Sequence, residues 1–248
     1  ALAVAMGNYN YIGDMGNAAR RLHGVIDEFR IWRGALSAST IAKHYSWGPS
    51  AICPAGTYSV TGRVGCFGQA LLHRYSFNDA ADSTTVADTA DVSAWGGTQK
   101  NGAVVNTVAL GNGKATFTGQ GYLSLPNNIM ESSTAVTMEM WFTSSSSNVG
   151  WNKLFQFGAT TSSSNSLILL RKETNGMLQA YSLLAAVREV TSATEFNSIS
   201  ANAHVVAVYD PVVSETMKVY VNGVEVASIS NSDALAEAMG NYNYVGTG

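Results

Sequence analysis

Charge is what this sequence has least of. Charged side chains make up 12% of the 248 residues, 14 basic against 17 acidic, for a net charge of −3. The basic residues stand singly or in pairs such as Arg20-Arg21. Binding to nucleic acid needs clustered Lys and Arg that displace counterions from phosphates, so the composition argues against a nucleic-acid partner. Long apolar runs are missing too. The richest, LILL at 167–170, is strand-sized, well short of the ~20 residues that cross a bilayer, so no membrane span is read in this segment. There is no Asn-x-Ser/Thr sequon, and there are only two cysteines and four prolines. No leader pattern opens the sequence, but residue 1 falls inside a repeated segment. The chain therefore reads as an excerpt or a processed product, and the missing leader says nothing about destination.

Catalytic constellations are also scarce. His23, His44, His73 and His204 are isolated along the chain, with no Gly-x-Ser-x-Gly elbow, metal-spaced histidine pair or phosphate loop. GNGKAT at 111–116 resembles a phosphate loop only superficially and reads as a turn. His204 reads as a strand residue with a hydrogen-bond partner, not as a general base. The chain is not read as an enzyme.

What is present is repetition. Residues 1–13, ALAVAMGNYNYIG, return as ALAEAMGNYNYVG at 234–246, changed only from Val4 to Glu237 and from Ile12 to Val245. Between the copies, nearly every periodic segment has the two-residue alternation of a β-strand. In VTMEMWF, Val136, Met138, Met140 and Phe142 share one face of a half-buried strand. AHVVAVYD at 203–210 is a more buried run. Asn222-Gly223 splits MKVYVNGVEVAS into hairpin arms, because both residues of the favoured two-residue turn need positive φ. Asn175-Gly176 predicts a second hairpin. The spacing predicts one short helix in GALSASTIAKHYSWGP, capped by Ser37, stopped by Gly48 and Pro49, and packed against a sheet edge.

Residues 50–70 have no apolar period and many turn formers, which marks a linker. A disulfide between Cys53 and Cys66 would close a loop of about 14 residues and restrict the unfolded chain by roughly 3 kcal/mol; two reduced thiols are the alternative. Low charge with abundant Ser, Thr, Gly and Asn points to a secreted, surface-exposed or self-associating protein.

GVIDEFRIWRGALSASTIAKHYSWGP at 24–49 resembles the closing segment of laminin G-like, concanavalin A-like jelly-roll domains. LLHRYSFND at 71–79 is similar to that family's opening strand, TGQGYLSLP to an early strand, VTMEMWF and AHVVAVYD to inner strands, and MKVYVNGVEVAS to its late hairpin. The resemblance implies an all-β, antiparallel jelly-roll sandwich with one short helix. It also implies a division: residues 1–49 end one jelly roll, 50–70 link, and 71–248 begin the next. Tandem repeats of 233 residues explain this, and so does a subunit that lends its first 49 residues to a neighbour. A self-contained fold is the least favoured arrangement, since residues 1–13 and 234–246 would compete for one strand position. CPAGTYS with its later cysteine resembles the cysteine-rich repeats beside ephrin-receptor ectodomains, which implies a Cys53–Cys66 clip and an extracellular address.

Candidate site residues follow from that frame. If VIDEFRI is one regular strand, Asp27 shares a face with Val25, Phe29 and Ile31 and needs compensation there. In relatives of the fold the corresponding Asp helps hold a structural Ca²⁺, and Asp79 and Asp88 lie in a loop able to supply further oxygens. An Arg partner or backbone amides are the alternative. Tyr9 and Tyr11, with their counterparts Tyr242 and Tyr244, are candidate contacts between copies of the chain. Glycans are candidate partners through Trp95, Trp151, Tyr9, Tyr11 and Tyr122. Hydrolases of this architecture carry carboxylates at alternate strand positions; here Trp141 stands where the second would follow Glu139. Asp27 and Glu139 are the carboxylates on which an enzyme reading would rest. The function that follows is a structural or adhesive repeat unit of an extracellular protein or filament, with a lectin-like module as the alternative.

Overall fold

The structure, a computed structural model, describes residues 10–12, 22–50, 70–90, 102–119, 121–126, 129–130, 133–144, 152–158, 166–171, 176–183, 187–195 and 202–233. In chain order the elements are β1 (Asn10–Ile12), β2 (His23–Arg33), α1 (Ala38–Trp47), β3 (Ala70–Tyr75), β4 (Thr85–Val86), β5 (Ala103–Asn106), β6 (Ala109–Gly111), β7 (Lys114–Thr118) and β8 (Tyr122–Leu125). They continue with β9 (Val136–Ser144), β10 (Asn152–Gly158), β11 (Ser166–Arg171), β12 (Met177–Leu183), β13 (Val187–Glu195), β14 (Ala203–Asp210), β15 (Thr216–Val221) and β16 (Val224–Ser230).

Two antiparallel sheets stack into a sandwich. One runs β13-β12-β11-β10-β1-β8-β5-β4; the other runs β16-β15-β14-β9-β2-β7-β6, with β3 also paired to β2. Asn222 (φ 50°) and Gly223 (φ 80°) turn β15 into β16, and Asn112 (φ 54°) with Gly113 (φ 71°) turns β6 into β7. GNGKAT is thus a hairpin turn. β11 and β12 pair antiparallel as the Asn175-Gly176 signal predicts, and Gly176 has φ 63°.

Alternation along the strands fills the space between the sheets. Val136, Met138, Met140 and Phe142 of β9, Val205, Ala207 and Tyr209 of β14, and Met217, Val219 and Val221 of β15 point inward from one sheet. Ile12, Leu123, Leu125, Phe155, Phe157, Leu167, Leu169, Leu178 and Ala180 meet them from the other. The rings of Phe29 and Phe155, 6.1 Å apart, join the two layers. Each such side chain stabilises the fold by about 1.5–3 kcal/mol on burial.

β9 departs from the half-buried expectation because Thr137, Glu139 and Trp141 on its other face are buried as well. The cover is α1. Its Ile41 packs with Trp32, Leu36, Val206, Val208 and Tyr220 in a second apolar cluster on the outer side of the β2-containing sheet. The helix therefore lies across the outer sheet face through this cluster and also meets the edge strand β16, as the sequence predicts. Its ends are as the sequence predicts: Ser37 Oγ accepts from the Thr40 N–H at 3.2 Å, and Gly48 (φ 81°) donates to the His44 and Tyr45 carbonyls. Ser37→Ala is expected to lower stability by about 1 kcal/mol in urea titration; a change of a few tenths or less would mean that packing alone sets the start of the helix.

Candidate functional site: where the N-terminal strands enter the sheets

A central strand of each sheet comes from the first 33 residues. In one sheet β1 lies between β8 and β10: Asn10, Tyr11 and Ile12 stand opposite Leu125, Ser124 and Leu123, and Tyr11 also stands opposite Gln156. Ile12 is fully buried. In the other sheet β2 lies against β9 along its whole length and against β7 and then β3 on its far side. Gly24 permits this packing. A Cβ there would sit 2.3 Å from the Thr143 carbonyl oxygen and 2.7 Å from the Phe142 ring.

The domain reading placed residues 1–49 and 71–248 in different jelly rolls. In this chain β1, β2 and α1 are built into the same sheets as the strands of 70–233. Residues 10–12 thus stand between β8 and β10 of this chain.

β2 also carries charge to the covered face. Its register shifts between Ile26 and Glu28, a bulge that changes which residues face inward. Before it Ile26 points to the core; after it Phe29 and Ile31 do, while Glu28, Arg30 and Trp32 lie on the opposite side and are buried. Glu139 of β9 is the anion at the centre of that layer. It accepts from Trp32 Nε1 at 2.7 Å, from His204 Nε2 at 2.8 Å and from His44 Nδ1 at 3.1 Å, with Arg30 Nη1 3.7 Å away. An ionised carboxylate only accepts, so both imidazole nitrogens carry their protons. Burial opposes its ionisation, but the Arg30 charge and then the His204 and His44 bonds outweigh that and hold the Glu139 carboxyl well below the usual carboxylate range.

Arg30 extends the network. Its Nε donates to Glu28 Oε1 at 3.1 Å, its Nη2 to the Pro49 carbonyl, and its guanidinium lies 4.8 Å from the centre of the Trp141 ring. Arg74 of β3 reaches the same Glu28 at 2.5 Å. The His204 ring stacks on Trp141 at 4.4 Å. The arrangement offers no access for a substrate, as Glu139 and His204 are 0% exposed and His44 is 1% exposed. What it can do is fix β2 and α1 in place, through Trp32, Arg30 and His44 on one side and Glu139, His204 and Arg74 on the other. The hydrogen-bond partner expected for His204 is Glu139.

The same bulge corrects the position of Asp27. It lies on the opposite side from Phe29 and Ile31, half-buried, with Lys114 Nζ 3.9 Å from its carboxylate. Burial raises its pKa, against the Lys114 charge and a bond from Asn202. Asp79 Oδ1 accepts from the Ala87 N–H at 3.0 Å. Asp88 accepts from His73 Nδ1 at 2.7 Å and from the Arg74 N–H at 3.0 Å. Among the described residues no group of three or more His, Cys, Asp or Glu is placed to hold a metal ion. Asp79 and Asp88 accept from protein donors, and the bulge turns Asp27 away from the core face.

Tyr11 lies in β1 and Tyr122, half-buried, in β8. Tyr9, Tyr242, Tyr244, Cys53, Cys66, Trp95 and Trp151 fall outside the described residues. Sequence reasoning missed Glu28, Arg30, Arg74 and His44. The available signal was Arg30 and Glu139, each set among apolar neighbours of both parities in FRIW and MEMWF, as happens when both faces of a strand are covered.

This geometry, a two-layer antiparallel sandwich with a helix on one outer face, agrees with the comparison of the chain with protein families. Residues 117–248, more than half of the chain, match the laminin G type of the concanavalin A-like lectin/glucanases superfamily. The chain belongs to this superfamily. Comparison with curated proteins and with solved structures gives no match. The concanavalin A-like match begins within β7 and runs through the second copy of the repeated segment, whereas β1, β2 and α1 precede it in sequence and complete the same sandwich. Among the described residues no helix of this concanavalin A-like chain is long and apolar enough to cross a membrane.

Proposed function

We propose that this chain is a structural or adhesive repeat unit of an extracellular assembly. In it, concanavalin A-like sandwiches follow one another, and β1, β2 and α1 form the joint between neighbours. One observation carries the reading. A central strand of each sheet comes from a segment separated from the rest of its sandwich by residues 51–69, and the first part of that segment recurs at 234–246. A sandwich whose middle strands lie beyond a linker can be closed by its own chain or by the next unit, and closure by the next unit makes an array. The extracellular address rests on low charge and on the Cys53–Cys66 pair. The reading is not enzymatic, because Glu139 is sealed beneath α1. Electron microscopy of concentrated protein is expected to show regular fibres. Uniformly dispersed particles at every concentration would count decisively against the proposal.

A lectin-like role is the second reading, and one feature favours it. Leu178 and Ala180 face the core, so Gln179 and Tyr181 point to the outer face of their sheet. There Gln179 Nε2 donates to Glu189 at 2.6 Å and to Thr191 at 2.9 Å, and the Tyr181 hydroxyl donates to Gln179 at 3.0 Å. Burial and then Glu189 push the Tyr181 hydroxyl up to about 12, so it stays a neutral donor. Gln179 is itself buried, so the face open to a sugar is the half-buried Tyr181 ring with Glu189 and Thr191 beside it. Glycan binding lost in Tyr181→Ala, without fibres, would favour this reading.

A further inference from the structure

The position between β8 and β10 has two candidate occupants in the sequence and one in the structure. The resident is Asn10-Tyr11-Ile12. With the same offset as the rest of the repeat, the second copy presents Asn243-Tyr244-Val245. In sequence the first two side chains are identical, and the third is one methylene smaller at the site where Ile12 is buried. Among the described residues β1 contributes three residues to its sheet, with Tyr11 paired on both sides. β2, by contrast, spans eleven residues and is tied by Glu28, Arg30 and Trp32. A short strand is the part of a sheet that exchanges most readily.

We propose that the β8–β10 slot is an exchange site, in which residues 243–245 of a second copy of this chain replace residues 10–12. This rests on the reading of the chain as a self-associating repeat and names the contact that joins its units. The occupant follows from counting segments. Each chain has one slot and two segments that fit it, and the resident is covalently continuous with the firmly held β2. The second copy on one chain matches the slot of another, where it would add main-chain pairing to both β8 and β10. The resident has an effective concentration in the millimolar range through its short connection, so exchange appears at high protein concentration or between tethered units.

Sedimentation velocity over a concentration series on the full chain tests this with variants that leave β1 intact. Val245→Ile, which makes the incoming strand match the resident, is expected to strengthen association about fivefold. Val245→Asp is expected to abolish it. Ile12→Asp, which weakens the resident, is expected to promote head-to-tail oligomers that disappear in the double variant Ile12→Asp/Val245→Asp. Identical profiles for wild type, Val245→Ile and Val245→Asp overturn the inference. So does a folded, monomeric Ile12→Asp chain, which would mean that its own second copy fills the slot. Fibres that persist in Val245→Asp leave the repeat-unit reading standing and reject only the slot; no association in any variant rejects both.

Discussion

Glu139→Ala is expected to cost the fold about 3–5 kcal/mol, since removing one partner from a buried ionic network leaves the others uncompensated. The donors stranded are Trp32 Nε1, His44 Nδ1 and His204 Nε2, beside the Arg30 charge. Glu139→Gln keeps one acceptor oxygen and is expected to lose less. The pH dependence has a definite sign. The folded-state pKa of Glu139 lies well below its ordinary value of 4.5, so its ionised form contributes stability that is fully present above about pH 4.5 and is lost as pH falls through the lower, folded value. Urea midpoints between pH 7 and pH 2 are expected to fall more steeply for wild type than for Glu139→Gln at the acid end. Parallel curves for the two proteins would mean that the carboxylate is not the charge that holds α1 and β2.

Deleting residues 1–33 is expected to have a still larger effect, the loss of cooperative folding. Without β1 one sheet parts into β13-β12-β11-β10 and β8-β5-β4; without β2 the other parts into β16-β15-β14-β9 and β7-β6, and β3 loses the strand it pairs with. The core loses Ile12, Leu22, Ile26, Phe29 and Ile31 together. At about 1.5–3 kcal/mol for each buried side chain, this matches the 5–15 kcal/mol by which a domain is typically stable. Circular dichroism of the deleted chain is expected to show no cooperative melting. Co-expression of residues 1–49 with residues 50–248 as separate chains is expected to restore a soluble, melting complex, as a strand pair supplied in trans must do if it forms the joint between units. A deleted chain that melts like the intact one would show that the N-terminal strands are dispensable.

Features set by neighbouring residues were legible in the sequence. Asn222-Gly223 had to be a tight turn because few residue pairs accept two positive φ angles, and Ser37, Gly48 and Pro49 bounded α1 by their own backbone chemistry. The inward face of β9 followed from alternation over an unbroken strand. Asp27 shows where that logic fails. One bulge between Ile26 and Glu28 reverses parity, and nothing in VIDEFRI announces it, because the shift serves pairing with Trp141 and Phe142 of a strand more than a hundred residues away.

The sequence by itself determined the strands, the hairpins, the helix ends and the repetition, because propensity, turn chemistry and periodicity act between residues a few positions apart. Only the tertiary structure decided that Glu139 gathers His44, Trp32 and His204, which stand 95, 107 and 65 positions away from it. It also decided that residues 10–12 fill the slot which residues 243–245 match. Two nearly identical segments cannot be ranked by their own sequences. What the tertiary structure adds is that residues 10–12 lead into β2, which buried charges hold against β9.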